Sequence, residues 1–271
     1  DRHEAVGELF DDFFLREELI GFLKEVHDLE RLTGKLACGN INARDLLSIK
    51  NSVQILPKIK QRLSTCKTGL LIFLAQQTDP LEDVFELLHA AVAEEPPVSV
   101  KESGIIKDGY NPEIDKLRRA SGEGKLWLAD LEKRERDKTG IKSLKVGFNR
   151  VFGYYLEVSK SNIDSVPDYY IRKQTLVNGE RYITPELKDM EAKVLGAEER
   201  LSSIEYDIFV SLRKEIAAEC ARIQKAAESI ATLDVFISLG RVAAEYQYCR
   251  PILTDNGDLV IKDGRHPVVE R

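Results

Sequence analysis

Apolar residues recur at intervals of three and four along most of this chain, and give way to a two-residue alternation in one short stretch. Phe10, Phe13, Phe14, Leu19, Phe22, Leu23, Val26, Leu29 and Leu32 keep a helical spacing with charges between them. Asn42 or Asp45 is placed to start another helix, with Leu46, Leu47, Ile49, Val53 and Ile55 as its apolar face, and Pro57 interrupts it. A further helix is predicted over 68–76. Pro80 suits the first turn of the next, which runs through Leu81, Val84, Leu87, Leu88 and Val92 and stops at Glu94-Glu95-Pro96-Pro97. Residues 1 to about 95 therefore read as a helical bundle. Residues 98–111 read as extended, with Ile105-Ile106 a candidate short strand.

Two helix starts are stronger. Asn111-Pro112-Glu113 combines a cap residue, a proline suited to the first turn and an acid facing the positive helix end. The helix it opens should run through Ile114, Leu117, Trp127, Leu128 and Leu131 to about Lys138, where Gly140 stops it. Gly122 and Gly124 weaken its middle by about 1 kcal/mol each relative to Ala. Thr184-Pro185-Glu186 repeats the start signal. Leu187, Met190, Val194, Ala197, Leu201, Ile204 and Ile208 then alternate spacings of three and four, a heptad seam that calls for a partner helix. The pattern continues through Leu212, Ile216, Cys220, Ile223 and Ala227 to about Tyr248. Such a helix would be on the order of 95 Å long, so much of it should project. The helix from Pro112 is the expected antiparallel partner. The tail, 251–271, reads as two short strands, Ile252-Leu253 and Leu259-Val260-Ile261, joined at Asn256-Gly257.

Between the two helices lies the alternating stretch. Lys142, Leu144 and Val146 alternate with Ser143, Lys145 and Gly147, and Tyr155 and Glu157 alternate with Leu156 and Val158. Gly147-Phe148-Asn149-Arg150 and Phe152-Gly153 make a tight reversal. The expected fold is mainly α with a small β insertion (α+β). In order it comprises a helical core over 1–111, an outgoing helix over 112–138 and a β module over 139–183. A returning helix over 184–250 and the tail over 251–271 complete it.

Composition sharpens this picture at one place. The chain of 271 residues carries a net charge of −6. Within 139–183 stand seven cations (Lys142, Lys145, Arg150, Lys160, Arg172, Lys173 and Arg181) against Glu157, Asp164, Asp168 and Glu180. The module is +3, which leaves −9 for the rest. Cys38, Cys66, Cys220 and Cys249 are too far apart for a CxxC motif and are expected to be buried or incidental thiols in a reducing compartment. There is no run of about 18 apolar residues and no basic-then-apolar leader, so no membrane partner is expected. The Asp-Arg-His opening and the lone Met190 suggest a piece of a longer protein.

Candidate chemistry is confined to the module. No GxxxxGK[ST], GxGxxG, HExxH or GxSxG motif occurs, and His3, His27, His89 and His266 are isolated, so no catalytic or metal site is expected. Gripping a phosphate backbone needs exposed N–H groups, amide side chains and Arg or Lys. Asn149 and Arg150 sit where one turn would expose them. Arg172-Lys173-Gln174-Thr175 and Val177-Asn178-Gly179-Glu180-Arg181 offer a second such tip.

At these residues a resemblance becomes specific. LKVGFNRVFGYYLEVSK and YYIRKQTLVNGERYITPELKDMEAKVL resemble the clamp region of the MutS family of DNA mismatch-repair proteins. So do Asp28-Leu29-Glu30-Arg31, Ala43-Arg44-Asp45-Leu46, Gly109-Tyr110-Asn111, Thr139-Gly140-Ile141 and Gly264-Arg265-His266-Pro267-Val268. The likeness covers essentially the whole chain and points to a bacterial member.

The resemblance implies core, lever and clamp portions of a protein that dimerises, encircles double-stranded DNA and recruits downstream repair factors in the bacterial cytoplasm at the nucleoid. ATP and Mg would belong to a domain beginning around the tail, and the mismatch-reading domain would lie elsewhere. This chain would hold no cofactor and hydrolyse no ATP. By the same resemblance Asn149 and Arg150 at one tip, and Asn178 and Arg181 at the other with Arg172 and Lys173 behind, would touch the DNA backbone without reading bases. Two other readings compete: a structural coiled-coil arm whose tip module mediates dimerisation, which would require apolar surface there, and an RNA-binding helical arm, which ranks third.

Overall fold

A computed structural model describes residues 1–270 of the chain. The elements in order are α1 (Arg2–Asp11), α2 (Phe13–Leu23), α3 (Leu29–Ala37), α4 (Ala43–Val53), α5 (Leu56–Ser64), α6 (Gly69–Gln77), α7 (Glu82–Ala91) and α8 (Pro112–Thr139). There follow β1 (Lys145–Asn149), β2 (Gly153–Ser159), a 3₁₀ turn (Lys160–Ser165), β3 (Ile171–Thr175), β4 (Gly179–Ile183), α9 (Pro185–Ala218) and α10 (Cys220–Tyr246). They form two compact units: residues 1–25, 57–78 and 228–271, and residues 26–56 and 79–227.

In the first unit the expected early helix is cut at Asp12, whose side chain accepts from the Leu15 N–H and starts α2. The cut turns Phe13 and Phe14 outward, so they are exposed rather than core. The Glu8 carboxylate accepts from the N–H groups of Lys67 (2.7 Å) and Thr68 (2.8 Å), supplying α6 with the acid that its own first turn lacks. α10 approaches α1 closely at Gly240, where a β-carbon would lie 3.2 Å from Leu9 Cβ. Residues 251–270 are exposed and carry no strand, so the hairpin expected at Asn256-Gly257 is not formed. Two short strands with no third strand or helix to cover their apolar face are marginal in water.

The second unit holds the long helices. Asn42 and Asp45 both serve at the start of α4, as a reciprocal capping box. Pro57, with which the first unit resumes, falls in the first turn of α5 instead of merely ending α4. Residues 92–106 contribute a single antiparallel bridge, Val92 to Ile106, rather than a strand. α8 starts where Asn111 caps it and ends at Gly140, whose φ of 71° is the left-handed conformation glycine adopts without strain.

The expected continuous return helix is broken at Glu219, so α9 spans 34 residues and α10 another 27. α8 and α9 pack antiparallel. Arg200 pairs with Glu113, Lys125 with Glu198 (2.8 Å) and Arg134 with Glu186 (3.1 Å). The buried seam of α9 is Leu187, Val194 and Leu201 at the heptad interval, then Glu205, Phe209, Leu212 and Ile216. Ile208 lies beside the seam rather than in it, because the repeat shifts at Glu205.

At the end of this helix pair sits a four-stranded antiparallel sheet in the order β1-β2-β4-β3. Leu156, Val158, Tyr182 and Tyr170 face Leu128 and Leu131 of α8 and Leu187 of α9, with Ile141 and Leu144 closing the edge. Leu144, Leu156 and Val158 are fully buried. Each contributes roughly 1.5–3 kcal/mol relative to exposure, enough to seat a small sheet that would not persist alone. All four thiols are free: Cys66 is buried, Cys220 half-buried, and Cys38 and Cys249 are exposed.

Candidate functional site

The alternation read in the sequence puts two different faces on the sheet. Leu156 stands opposite Tyr182 and Val158 opposite Glu180 on the side that covers the helices. On the open side Lys145 stands opposite Glu157, Glu157 opposite Arg181, and Gly147 opposite Tyr155. Gly147 is required there, since a β-carbon would lie 2.6 Å from Tyr155 Cζ.

The first hairpin turns through Arg150, Val151 and Phe152. Gly153 closes it with a φ of 80°. Asn149 Oδ1 accepts from the Val151 N–H at 2.8 Å, which shapes the turn, and Asn149 itself is half-buried. Arg150 is exposed and makes no ion pair among the described residues. α9 holds this hairpin: Lys188 Nζ donates to the Phe152 carbonyl (3.2 Å) and to Glu191 (2.8 Å), and Glu191 accepts from the Tyr154 N–H (2.6 Å). α8 holds the adjoining strand, with Glu132 accepting from the Val146 N–H (2.8 Å) and Arg136 donating to the Leu144 carbonyl (2.7 Å). Charged side chains thus occupy strand-edge groups that would otherwise be open to pairing.

The second hairpin turns through Leu176, Val177 and Asn178. It stands at the other end of β2 from the first, because Ser159 pairs with Gly179 while Gly153 pairs with Asn149. The length of β2 separates the two turns by about 20 Å. Asn178 is exposed, and its carbonyl accepts from the Lys160 N–H at 3.0 Å.

Arg181, expected at this tip, instead lies inside β4. Its guanidinium donates to Glu157 (2.9 Å) and Gln174 (3.0 Å) and stacks 4.2 Å over the Tyr155 ring. The turn is three residues long, not five, and that difference carries Arg181 into the strand. Arg172 is exposed on β3 and pairs with Glu180 at 3.2 Å. Lys173 is exposed at the register shift between Arg172 and Gln174 and makes no ion pair among the described residues. The six expected residues therefore divide into Asn149 and Arg150 at one end, Asn178 at the other, and Arg172, Lys173 and Arg181 along β3 and β4.

Two carboxylates are buried at the module, Glu135 of α8 and Glu180 of β4. Glu135 accepts from Tyr169 Oη and Tyr170 Oη, both at 2.8 Å, and from Lys138. Burial works to raise its pKa, but these donors outweigh burial and hold the carboxyl below the ordinary range. Glu180 accepts from Tyr182 Oη, Arg172 and Thr175, led by the Tyr182 hydroxyl, and is likewise lowered. No sequence signal marks Glu135, because Tyr169 and Tyr170 are brought over by the sheet, whereas Tyr182 lies two residues from Glu180 on the same strand.

The arrangement offers charge and amide donors at exposed positions. Such groups neutralise and orient phosphates without discriminating between bases. Among the described residues no group of three or more His, Cys, Asp or Glu side chains is placed to hold a metal ion, and no helix is long and apolar enough to cross a membrane.

Comparison with known proteins converges on the same segment. The description "MutS family domain IV" matches residues 109–200. Over its whole length the chain is 53% identical to the DNA mismatch repair protein MutS of Symbiobacterium thermophilum. The corresponding figures are 52% for that of Lachnoclostridium phytofermentans and 50% for that of Clostridium tetani. It spans 31%, 29% and 31% of those three relatives respectively.

Proposed function

The chain belongs to the MutS family, and from that premise we propose that its sheet is a clamp that grips the sugar-phosphate backbone of duplex DNA, carried on α8 and α9 as levers. The observation that carries this reading is Arg150, an exposed cation without an ion pair among the described residues, at the apex of a hairpin that both helices brace. Asn149, Asn178, Arg172 and Lys173 add donors and charge, and Arg181 keeps the sheet in shape. The stretch from Leu187 to Leu201, along which α8 packs on α9, supports a lever, because a continuously packed helix pair transmits displacement at one end to the other.

In the whole protein this portion would help a homodimer encircle DNA. It would couple the clamp to an ATPase, with ATP and Mg, outside this chain, while downstream repair factors are recruited by the assembled protein. The chain by itself carries out no catalytic step under this reading. It works in the bacterial cytoplasm, at the nucleoid.

Fluorescence anisotropy with a fully paired duplex, titrated at several salt concentrations, tests the grip. Non-specific binding is expected at ~10⁻⁴–10⁻⁶ M and should weaken steeply with salt. Replacing Arg150 and Lys173 by Ala should weaken it about equally on paired and mismatched duplexes. A loss confined to mismatched duplexes would refute the backbone reading.

One observation favours a second reading, a module that dimerises. Val151 and Val177, at the two turns, are 88% and 87% exposed. Sedimentation equilibrium without DNA separates the two, since dimers abolished by Val151→Ser with Val177→Ser would assign the turns to self-association.

A further inference from the structure

The corner between α1 and α2 holds two phenylalanines in water. Phe13 and Phe14 are 57% and 81% exposed, and their rings meet edge to face with centroids 5.7 Å apart. Arg16 fixes this corner. It is 6% exposed, donates from Nη1 to the carbonyls of Leu9 (2.6 Å) and Phe10 (3.0 Å), and its guanidinium lies 5.4 Å from the centre of the Phe13 ring. Its Nε has no hydrogen-bond partner among the described residues. A buried donor left unmet costs about 1–3 kcal/mol, and an exposed phenylalanine forgoes a similar gain from burial. Aromatic surface held outward at such a cost is characteristic of an interaction site.

The same corner is the acidic end of the chain. Between residues 1 and 18 seven carboxylates stand against Arg2 and Arg16, a surplus of five in a chain of net charge −6. An open cleft of about 680 Å³ is lined by Glu4, Glu8, Asp11, Asp12, Phe13 and Phe14, with Lys67 and Arg250 as its cations. Glu8 is engaged with the start of α6, and Asp12 with the start of α2. That leaves Glu4 and Asp11 open to a ligand. Both are exposed; Glu4 has only the terminal amine of Asp1 beside it at 3.5 Å, and Asp11 makes no ion pair among the described residues.

Charge and area together select the occupant. Nucleic acid and anionic lipid are repelled by this surplus, and a second copy would bring the same surplus against it. The two rings expose roughly 250–300 Å², at about 200 Å² for each phenylalanine. That is well below the ~800 Å² per partner of a stable dimer, and it is the scale of a peptide contact. A helix with lysine or arginine on one side and aliphatic residues on the other supplies cations to the carboxylates and apolar side chains to the rings. We infer that the α1–α2 corner docks a cationic amphipathic helix of another protein, its apolar face on Phe13 and Phe14 and its cations on Glu4 and Asp11. The site shares no residue with the β module and is independent of the clamp reading.

The test is fluorescence anisotropy of the whole chain with a labelled peptide of about 14 residues, leucine and lysine at helical spacing, and a counterpart with glutamate in place of lysine. Wild type should bind the lysine peptide and not the glutamate one. Phe13→Ser with Phe14→Ser should weaken binding about tenfold or more at every salt concentration, since the apolar contact is lost. Glu4→Gln with Asp11→Asn should weaken it about threefold at low salt and flatten its salt dependence. Leu126→Ser removes a comparably exposed apolar residue from α8 and should change nothing, which excludes indiscriminate adhesion. All these side chains lie on the surface, and equal thermal midpoints confirm that each variant folds. Wild-type affinity in either double variant, equal binding of the two peptides, or no binding of the lysine peptide overturns the proposal. Dimers in sedimentation equilibrium that Phe13→Ser with Phe14→Ser abolishes would overturn it in favour of a second copy. Duplex binding measured on the same samples tests the clamp reading separately.

Discussion

Val194 of α9 fills the space that Gly124 leaves on α8: a β-carbon at Gly124 would lie 2.2 Å from Val194 Cγ2 and 3.7 Å from Met190 Sδ. The glycine that weakens α8 by propensity is therefore a point of close approach between the two long helices. Gly122, two residues earlier, has nothing within 4 Å of where its β-carbon would be.

The two glycines should consequently respond oppositely to the same substitution. Gly122→Ala should stabilise by up to about 1 kcal/mol through helix propensity. Gly124→Ala gains the same propensity but must displace Val194, and overpacking of that kind costs about 1–3 kcal/mol. Urea unfolding of both variants decides the matter. A stabilised Gly124→Ala would show that the pair is looser than its packing indicates.

Arg181 and Arg150 should separate stability from binding. Arg181→Ala removes a half-exposed ion pair with Glu157 and a stack on Tyr155, together worth about 1–2 kcal/mol. That corresponds to a midpoint lower by about 3–6 °C, with little change in the salt slope for duplex. Arg150→Ala should do the reverse. Equal losses of slope in both variants would return Arg181 to the DNA-contacting surface.

What the sequence disclosed and what it hid differ by range. Asn111-Pro112 and Thr184-Pro185 start α8 and α9 where expected, because capping is settled within four residues. Leu187, Val194 and Leu201 were legible because one helix face opposite one partner keeps a fixed repeat. The resemblance brought the right segment into view, yet it left Arg181 on a turn, since three and five residues of loop are both compatible with Val177-Asn178-Gly179. Glu135 and Glu205 look like any acid on a charged helix. Their burial depends on residues about 35 and 100 positions away respectively. Ser143 and Ser159 are 16 residues apart and meet only because β2 returns beside the end of α8.

The tyrosine–glutamate contact beneath the sheet should make stability depend on pH at both extremes. Glu135 is held below its ordinary 4.5, so its charge contributes stability above that value, and the contribution is lost as pH falls through the lower folded-state value. Tyr169 is pushed up to about 12, by burial first and by Glu135 second, and Tyr170 is raised for the same reasons. Their neutral forms contribute stability below pH 10 that is lost as pH rises from 10 through 12. Thermal midpoints measured across the pH range should fall at both ends. Glu135→Gln should flatten the acid side, and an acid limb identical to wild type would remove Glu135 as its source.

Glu205 marks the place where the seam of α9 changes repeat, and its removal should cost more than any single surface charge. It is fully buried and accepts from the Gly104 N–H (2.6 Å), the Ile105 N–H (3.0 Å) and Arg118. Arg118 also reaches Asp108 and the Ile106 carbonyl, so one carboxylate ties the extended segment before α8 to both long helices. Glu205→Ala leaves two N–H groups and a guanidinium without their acceptor, and breaking a buried pair from one side costs about 3–5 kcal/mol. Arg118→Ala should cost less, because the two N–H groups still satisfy the remaining carboxylate. In the double variant the losses should not add, with a coupling of about 0.5–3 kcal/mol. Strict additivity in urea unfolding would mean that Glu205 serves the two N–H groups alone, and that Arg118 is held by Asp108 and Ile106 without it.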